Sequence, residues 1–480
     1  MSNVIEQTIR ATVTKGMGKV AEFNRKRLPA REQPNPFLIG IHKPLTNEET
    51  ITSLNVTGDI PPALKGRYLR IGPNPVGEPD HTSYHWFSGS GMAHGIKLND
   101  GKALWYRNRW TRSKDVSKSL GEAPIPGPRN SAFDTVNTNI IGIGDKTFAL
   151  VEAGSCPVEM TETLESIAFN DFNGTLDVPF SAHPHLDPAT GELHAICYGA
   201  MTTGKVWHVV VDQTAKVIRQ EAIPVSGAPS IHDCQITENY VLVFDLPVVI
   251  SRKMALAGYT IPFEWDESYP ARVGLCPRHG SAHDTVWCDV DPCYVFHPAN
   301  AFELEDGKVI VDVVAHDKMF SRSTVGPDSE KSRLERWTVD PDTCSVERKI
   351  LHDAKQEFPR YDERKSCKPY RYIYSVALPT EDKVDFDFST QLFKHDLELG
   401  KTEIHEFGPN RHPGEFVFIP RTETAAEDEG WLMGLVVDMN DDHSELVILN
   451  ADNFSGEPQA VVEIPHRIPP GFHGNWVASP

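Results

Sequence analysis

The stretch His183–Gly199, HPHLDPATGELHAICYG, carries the plan that the chain repeats: a polar or histidine-bearing segment, a turn built on Gly, Asp, Asn or Pro, and a second run rich in apolar residues. Asp, Pro and Gly at such positions favour a tight reversal, so the stretch reads as an antiparallel hairpin. Three other stretches follow the same plan: NTNIIGIGDKTFALVE from Asn137, HDCQITENYVLVFDLPV from His232 and HPANAFELEDGKVIVDVV from His297. Repeated antiparallel units of this size suggest the blades of a β-propeller, whose innermost strands surround an axis. One residue from each innermost strand can then point at that axis, however far apart the residues lie in sequence. A two-sheet sandwich or a pair of β domains predicts similar strand density, and periodicity alone leaves that alternative open.

A closed ring joins the two ends of its chain, and the far end is unusual here. Residues Gly471–Trp476 read GFHGNW, with Phe472 and Trp476 bracketing a histidine between two glycines. That composition suits burial and close backbone approach better than a frayed tail. The segment is therefore expected to thread into the body, so that whatever His473 touches is assembled only when the chain has closed.

The bulk properties narrow the function. With 480 residues, 39% hydrophobic and 24% charged, the chain has ample core, and 34 Gly and 37 Pro punctuate it throughout. No linker divides residues 34–480, which read as one catalytic domain. No apolar run approaches the roughly 18 residues a membrane span needs, and the start lacks the apolar core of a signal peptide, so the expected location is cytoplasmic. The eight cysteines lack CxxC spacing, which argues against a zinc site or a disulfide framework and for small buried apolar residues. A formal charge of −20 repels phosphate backbones, so nucleic acid is excluded as a partner. Residues 1–33 differ. Within the first 31 of them Arg10, Lys15, Lys19, Arg25, Lys26, Arg27 and Arg31 stand against Glu6 and Glu22, and Ile5, Ile9, Val13, Met17, Val20 and Phe23 recur with a helical period. Three readings stand for this basic amphipathic arm: peripheral contact with an anionic membrane surface, docking on its own body, or a flexible arm, since Gly16 and Gly18 weaken the helix.

A lone histidine is far more often a satisfied surface or core group than a ligand, and there are 20. Context selects His183, His232, His297 and His473, each beside dense apolar or aromatic sequence, whereas His405, His412 and His466 read as members of proline-rich or charged loops. None of the four has HExxH or HxH spacing, so spacing by itself supports a metal site only weakly.

Nine segments, however, occur in one order: GRYLRIGPNP (66–75), HWFSGSGMAHGI (85–96), YRNRW (106–110), SAHPHLDPATGELH (181–194), IHDCQIT (231–237), CYVFHPANAFE (293–303), EFPRYD (357–362), GEFVFIPR (414–421) and GFHGNWV (471–477). On these the chain resembles the carotenoid cleavage oxygenase family, from about Leu54 to the C-terminus. The resemblance implies an all-β, seven-bladed propeller capped on one face by loops and short helices. It also implies a non-haem Fe(II) on the axis, held by His183, His232, His297 and His473. By the same analogy Glu152, Glu357 and Glu415 accept the ring N–H of His232, His297 and His473, and Thr138 lies beside an open metal position. His185 and His194 do not match a ligand position. The partners implied are O2 and a small lipophilic polyene; oligomeric state is left open. Iron is named by the family, since four imidazoles also suit zinc or copper.

The reaction implied is cleavage of a carbon–carbon double bond by O2 into two carbonyl products, with the polyene in an apolar tunnel. Starting from Thr138, the residues 183, 232, 297, 357, 415 and 473 follow at steps of 45, 49, 65, 60, 58 and 58, which resemble a blade length, so successive blades are expected to deliver one residue each. The sequence departs from the family at Ser88 and Ser90, where acidic residues are common. Where stilbene-cleaving relatives place a lysine before the first glutamate, this chain has Val151, which favours a polyene over a phenol. The alternatives are a lignostilbene or stilbene dioxygenase on the same fold, a non-oxidative isomerase, and a non-catalytic binding propeller.

Overall fold

Each hairpin signalled by the sequence closes locally. The computed structural model describes residues 16, 18–28, 34–129, 134–200, 202–322, 326–379 and 389–479. In it Asn139–Ile143 pairs with Lys146–Leu150, His185–Leu186 with Leu193–Cys197, Cys234–Ile236 with Tyr240–Asp245, and Tyr294–Glu303 with Val309–His316, all antiparallel. Gly191 and Gly307 turn two of these hairpins with positive φ, 73° and 85°, a region that a Cβ disfavours.

The described strands form an all-β, propeller-like arrangement with few helices. They collect into seven sheets: three of four strands, two of five, one of eight and one of two. This does not map one sheet to one blade. The eight-stranded sheet contains two four-stranded units joined through the single parallel pair Asp289–Ser345, and the two-stranded sheet stands apart.

Seven strands at sheet edges contain, or follow within two residues of, the residues singled out above: Asn139–Ile143, His185–Leu186, Cys234–Ile236, Tyr294–Glu303, Gln356–Arg360, Arg411–Pro420 and Gly474–Ala478. An edge strand needs partners for its free polar groups, and side-chain amides reach from one edge to the next. Asn139 Nδ2 donates to Ala182 O (2.8 Å), Gln235 Nε2 to Ala299 O (2.6 Å), and Asn300 Nδ2 to Lys365 O (2.9 Å). Asn475 Nδ2 closes the circuit by donating to Asn139 Oδ1 (2.9 Å) and Ile140 O (3.0 Å). The C-terminal strand also joins the N-terminal sheet, in register Gly66–Ala478 to Arg70–Gly474. Just beyond that ladder, a Cβ on Gly72 would meet Gly471 Cα at 2.4 Å, so bare backbone is required where the two ends meet.

Apolar clusters fill the spaces between neighbouring sheets. One joins Tyr68, Ile96 and Tyr106 of the N-terminal sheet to Met433, Leu446 and Val462 of the sheet built from the C-terminal part of the chain. Contact between sheets, and not the strand ladder alone, holds the ring together.

Two readings need correction. His405 is buried on the strand Lys401–Glu406, its Nδ1 2.8 Å from Phe454 O, and His412 lies on the strand Arg411–Pro420. Charged residues that alternate with inward ones on a half-exposed strand imitate a polar loop. Cys344 is exposed and Cys367 partly so, whereas the other six cysteines are buried. Within the basic arm, Ile5, Ile9, Val13 and Met17 lie outside the described residues. Residues 18–25 are helical and dock on the helix Arg252–Ala257, with Asn24 Nδ2 donating to Leu256 O (2.8 Å) and Arg25 Nε to Gly258 O (3.1 Å). Val20 and Phe23 nevertheless stay exposed. Among the described residues no helix is long and apolar enough to cross a membrane.

Candidate metal centre

The four selected histidines converge. His183, His232 and His473 precede the strands His185–Leu186, Cys234–Ile236 and Gly474–Ala478, while His297 lies within Tyr294–Glu303. Where a site residue sits inside a strand, the ladder is irregular. Register shifts fall on either side of Pro298, between Glu357 and Arg360, and between Pro413 and Phe416, next to His297, Glu357 and Glu415. Such bulges re-aim a side chain that regular pleating would send elsewhere. Phe358, inside one of them, adopts φ 55°.

One nitrogen from each imidazole falls in a group whose members all lie within 4.8 Å of one another. His183, His297 and His473 are buried, and His232 is partly exposed. The opposite ring nitrogens of three histidines meet carboxylates. His297 Nδ1 is 2.6 Å from Glu357 Oε2 and His473 Nδ1 is 3.1 Å from Glu415 Oε1. His232 Nδ1 is 2.9 Å from Glu152 Oε2, though out of line for a hydrogen bond. The fourth, His183 Nδ1, has Asp233 Oδ2 at 3.7 Å, beyond hydrogen-bonding distance.

Carboxylates that accept from Nδ1–H leave the lone pairs on Nε2 pointing inward. The Nε2 lone pair of His297 then faces His232 Nε2 at 3.2 Å, and a metal ion could take the lone pairs of both rings at this spacing. His183 Nε2 is buried with no hydrogen-bond partner. Burial holds His183 well below the usual imidazole range, with the neighbouring histidines adding to the shift, and burial likewise lowers His473. At His297 burial pulls the same way, but the Glu357 carboxylate outweighs it and the pKa rises. Burial would raise Glu415, yet the Arg360 charge and His473 bring it down to about 2. Four convergent imidazoles, with His183 and His473 held toward the neutral form and the Glu357 and Glu415 carboxylates held ionised behind His297 and His473, fit a divalent metal ion.

Two cavities reach this centre. One, of about 380 Å3, is walled largely by apolar and aromatic residues, including Trp86, Phe87, Val151, Ile261, Phe263, Phe296, Met319 and Phe472, with Thr138 and His232 at its edge. The other, of about 440 Å3, follows the edge strands and is lined by Asn139, His183, His185, Asp233, Arg360, Glu415 and Asn475. His297, Phe358 and His473 line both. Phe358 stacks on His297 with ring centroids 5.2 Å apart and meets His473 edge-on at 5.4 Å, so it forms part of the partition. Thr138 is buried, and its carbonyl accepts from His473 N (3.2 Å).

Sequence reasoning assigned no role to Asp233, His316, Arg360 or Phe358. Arg360 NH1 is 3.4 Å from Glu415 Oε1, and its NH2 reaches Glu363 Oε1 (2.7 Å) and Asn475 Oδ1 (3.2 Å). Asp233, adjacent to His232, accepts from His185 Nε2 at 2.8 Å. Adjacency to an expected ligand was a signal for Asp233, and Arg360 and Phe358 lie in the EFPRYD segment. His316 carried no such signal.

Comparison with known proteins agrees with this geometry. The family model described as retinal pigment epithelial membrane protein matches residues 42–478. A carotenoid cleavage oxygenase of Mycobacterium tuberculosis is 39% identical over 495 residues, spanning 93% of this chain and 98% of the relative. Among solved structures, the cobalt-substituted ACO of Synechocystis superposes with a TM-score of 0.83 at 27% identity, covering 93% of this chain and 99% of that one. The lignostilbene dioxygenase of Pseudomonas brassicacearum superposes with a TM-score of 0.85 at 27% identity, covering 94% and 100%.

Proposed function

This chain belongs to the carotenoid cleavage oxygenase family, and from that premise we propose that it is an Fe(II)-dependent dioxygenase cleaving a C=C double bond of a carotenoid or apocarotenoid. The balance is one double bond and one O2 consumed for two carbonyl groups formed. The observation that carries the reading is the convergence of four imidazoles, backed by carboxylates, at the wall of an apolar cavity.

In this reading His183, His232, His297 and His473 hold the metal through Nε2. Glu357 and Glu415 keep the Nδ1 proton of His297 and His473 in place, which fixes tautomer and ring orientation, and Glu152 stands 2.9 Å from Nδ1 of His232, where a small turn of either side chain would let it do the same. Iron bound there would supply the activation of O2. The aromatic and aliphatic walls exclude water and lay an extended apolar substrate alongside the imidazoles. Thr138, at the edge of the same cavity, narrows the space beside the histidines. The fold reading that supports this is a seven-bladed propeller spanning residues 34–480, obtained by dividing the eight-stranded sheet at its single parallel pair. Each blade then offers one of Thr138, His183, His232, His297, Glu357, Glu415 and His473 from its innermost strand or the residue or two before it.

A stilbene-cleaving reading has one observation in its favour, since Lys355 lines the apolar cavity and offers a polar partner for a phenol. Val151 on the same wall favours the polyene. Anaerobically purified protein loaded with Fe(II) is expected to consume O2 and release aldehydes from a long-chain apocarotenal, as identified by mass spectrometry. His297→Ala should lower that rate by at least about 100-fold, through lost metal. Cleavage of phenolic stilbenes with polyenes untouched would hand the assignment to the alternative, and no O2 uptake with either would refute both.

A further inference from the structure

Two of the glutamates behind the histidines are held differently. Glu415 has a guanidinium and the Gly474 N–H, the latter at 2.9 Å. Glu357 instead lies between two imidazoles. Its Oε2 accepts from His297 Nδ1 at 2.6 Å, and its Oε1 is 2.6 Å from Nε2 of His316.

His316 ends the strand Val309–His316, on the sheet that carries His297, and is 3% exposed. Both its ring nitrogens are engaged, Nδ1 lying 2.8 Å from Ser329 Oγ. A carboxylate only accepts, so Nε2 carries the proton and Nδ1 accepts from the Ser329 hydroxyl. Phe296 packs edge-on against both His316 and His232, with centroids 5.5 and 5.1 Å away. His316 and Ser329 also line the apolar cavity.

We propose that His316 is a positioning residue of the metal centre: it fixes the Glu357 carboxylate against His297, and Ser329 on the cavity wall fixes His316. The wall that touches substrate is thereby tied through three hydrogen bonds to one ligand. Glu357 cannot rotate to a second rotamer without abandoning His297, His316 and the Phe358 N–H, and His316 cannot change tautomer without losing its bond to Glu357, since a carboxylate only accepts. This inference rests on the reading that the four histidines bind metal.

Cobalt(II) is the probe, because its visible spectrum reports ligand geometry without turnover. His316→Leu is expected to weaken cobalt binding about tenfold, the scale for removing a group that orients a ligand, and to shift the spectrum. With iron, kcat should fall while KM stays near that of the parent protein. His316→Gln, whose amide can still donate to Glu357, should recover most of the affinity, and Ser329→Ala should shift the spectrum with a smaller loss. His405→Leu, a buried histidine remote from both cavities, controls for general loosening. A parent-like affinity and spectrum in His316→Leu, or equal shifts in His405→Leu, overturns the proposal. Should His316→Leu fail to fold, Ser329→Ala carries the test, and an unchanged spectrum there overturns it. Parent protein that binds no cobalt at the histidines refutes the metal centre itself, a distinct outcome.

Discussion

The two cavities meet at His297, Phe358 and His473 and are built from different material, one running along the edge strands (the axial cavity) and the other largely apolar. The axial cavity is lined by the edge strands themselves, whose amides and Arg360 tie neighbouring sheets together. The apolar cavity is walled largely by segments between strands, such as Trp86, Phe87, Ile261 and Pro379, and by side chains at strand ends. Inner strands stitched on all sides have little freedom to move, whereas connecting segments tolerate change. The difference teaches a division of labour: the axial side sets the geometry of the centre, and the apolar side selects what lies beside it. Substitutions on one side should therefore leave the other side's property intact.

The largest effect is expected on the axial side. Glu415→Leu removes the carboxylate that orients His473 and leaves Arg360 without its inner partner. Metal affinity should fall about 10- to 100-fold, read as metal retained per chain after dialysis. The ratio of activities on two apocarotenals of different length, measured with saturating iron, should stay as in the parent protein. A changed ratio would mean that the axial side also selects substrate, and the comparison would fail.

The complementary change is Val151→Lys. It puts an ammonium into the apolar wall, where desolvation opposes it, and supplies a partner for a phenol. Polyene cleavage should fall on the order of tenfold relative to a hydroxystilbene, with metal content per chain unaltered. An unchanged preference would remove Val151 from the determinants of specificity. Lost metal would instead mean that the new charge had captured Glu152.

The sequence was legible where chemistry is carried by a residue's type and its local neighbours. The hairpins from Asn137, His183, His232 and His297 could be read from turn residues and apolar runs, and all four form. Convergence of four remote histidines could not be read from spacing; it needed the motifs around them. What escaped was set by three-dimensional detail. The positive φ of Phe358 belongs to a bulge that no residue pattern announces, and His316 looks like an ordinary strand terminus until Glu357 is brought against it from another sheet. Sheets do not map one to one onto blades for a related reason, because one parallel pair joins two four-stranded units into a single ladder.

The smallest effect concerns a histidine that lines neither cavity and so marks the boundary of the comparison. His395, on the strand Gln391–Asp396, is buried, with Nε2 2.8 Å from Gln356 Oε1 and Nδ1 2.9 Å from Thr402 Oγ1. Burial, helped by His352, brings its pKa down to about 3. An unfolded histidine takes up a proton near pH 6.5, so the unfolded state binds protons first on acidification. The contribution of His395 to stability is therefore complete above about pH 6.5 and is lost progressively as the pH falls toward 3. Between pH 7.5 and 5.5 the loss is on the order of 1 kcal/mol. His395→Gln, which keeps a polar side chain but no titration, should lose about that much less stability across this interval, measured by denaturant unfolding at the two pH values. Gln356, the partner of His395, adjoins Glu357, so the same variant also asks how far the rigidity of the axial side extends. If metal retention at pH 7.5 is unchanged in it, the geometry of the centre is set by groups that touch the ligands or their carboxylates, and the sheet behind them serves as support.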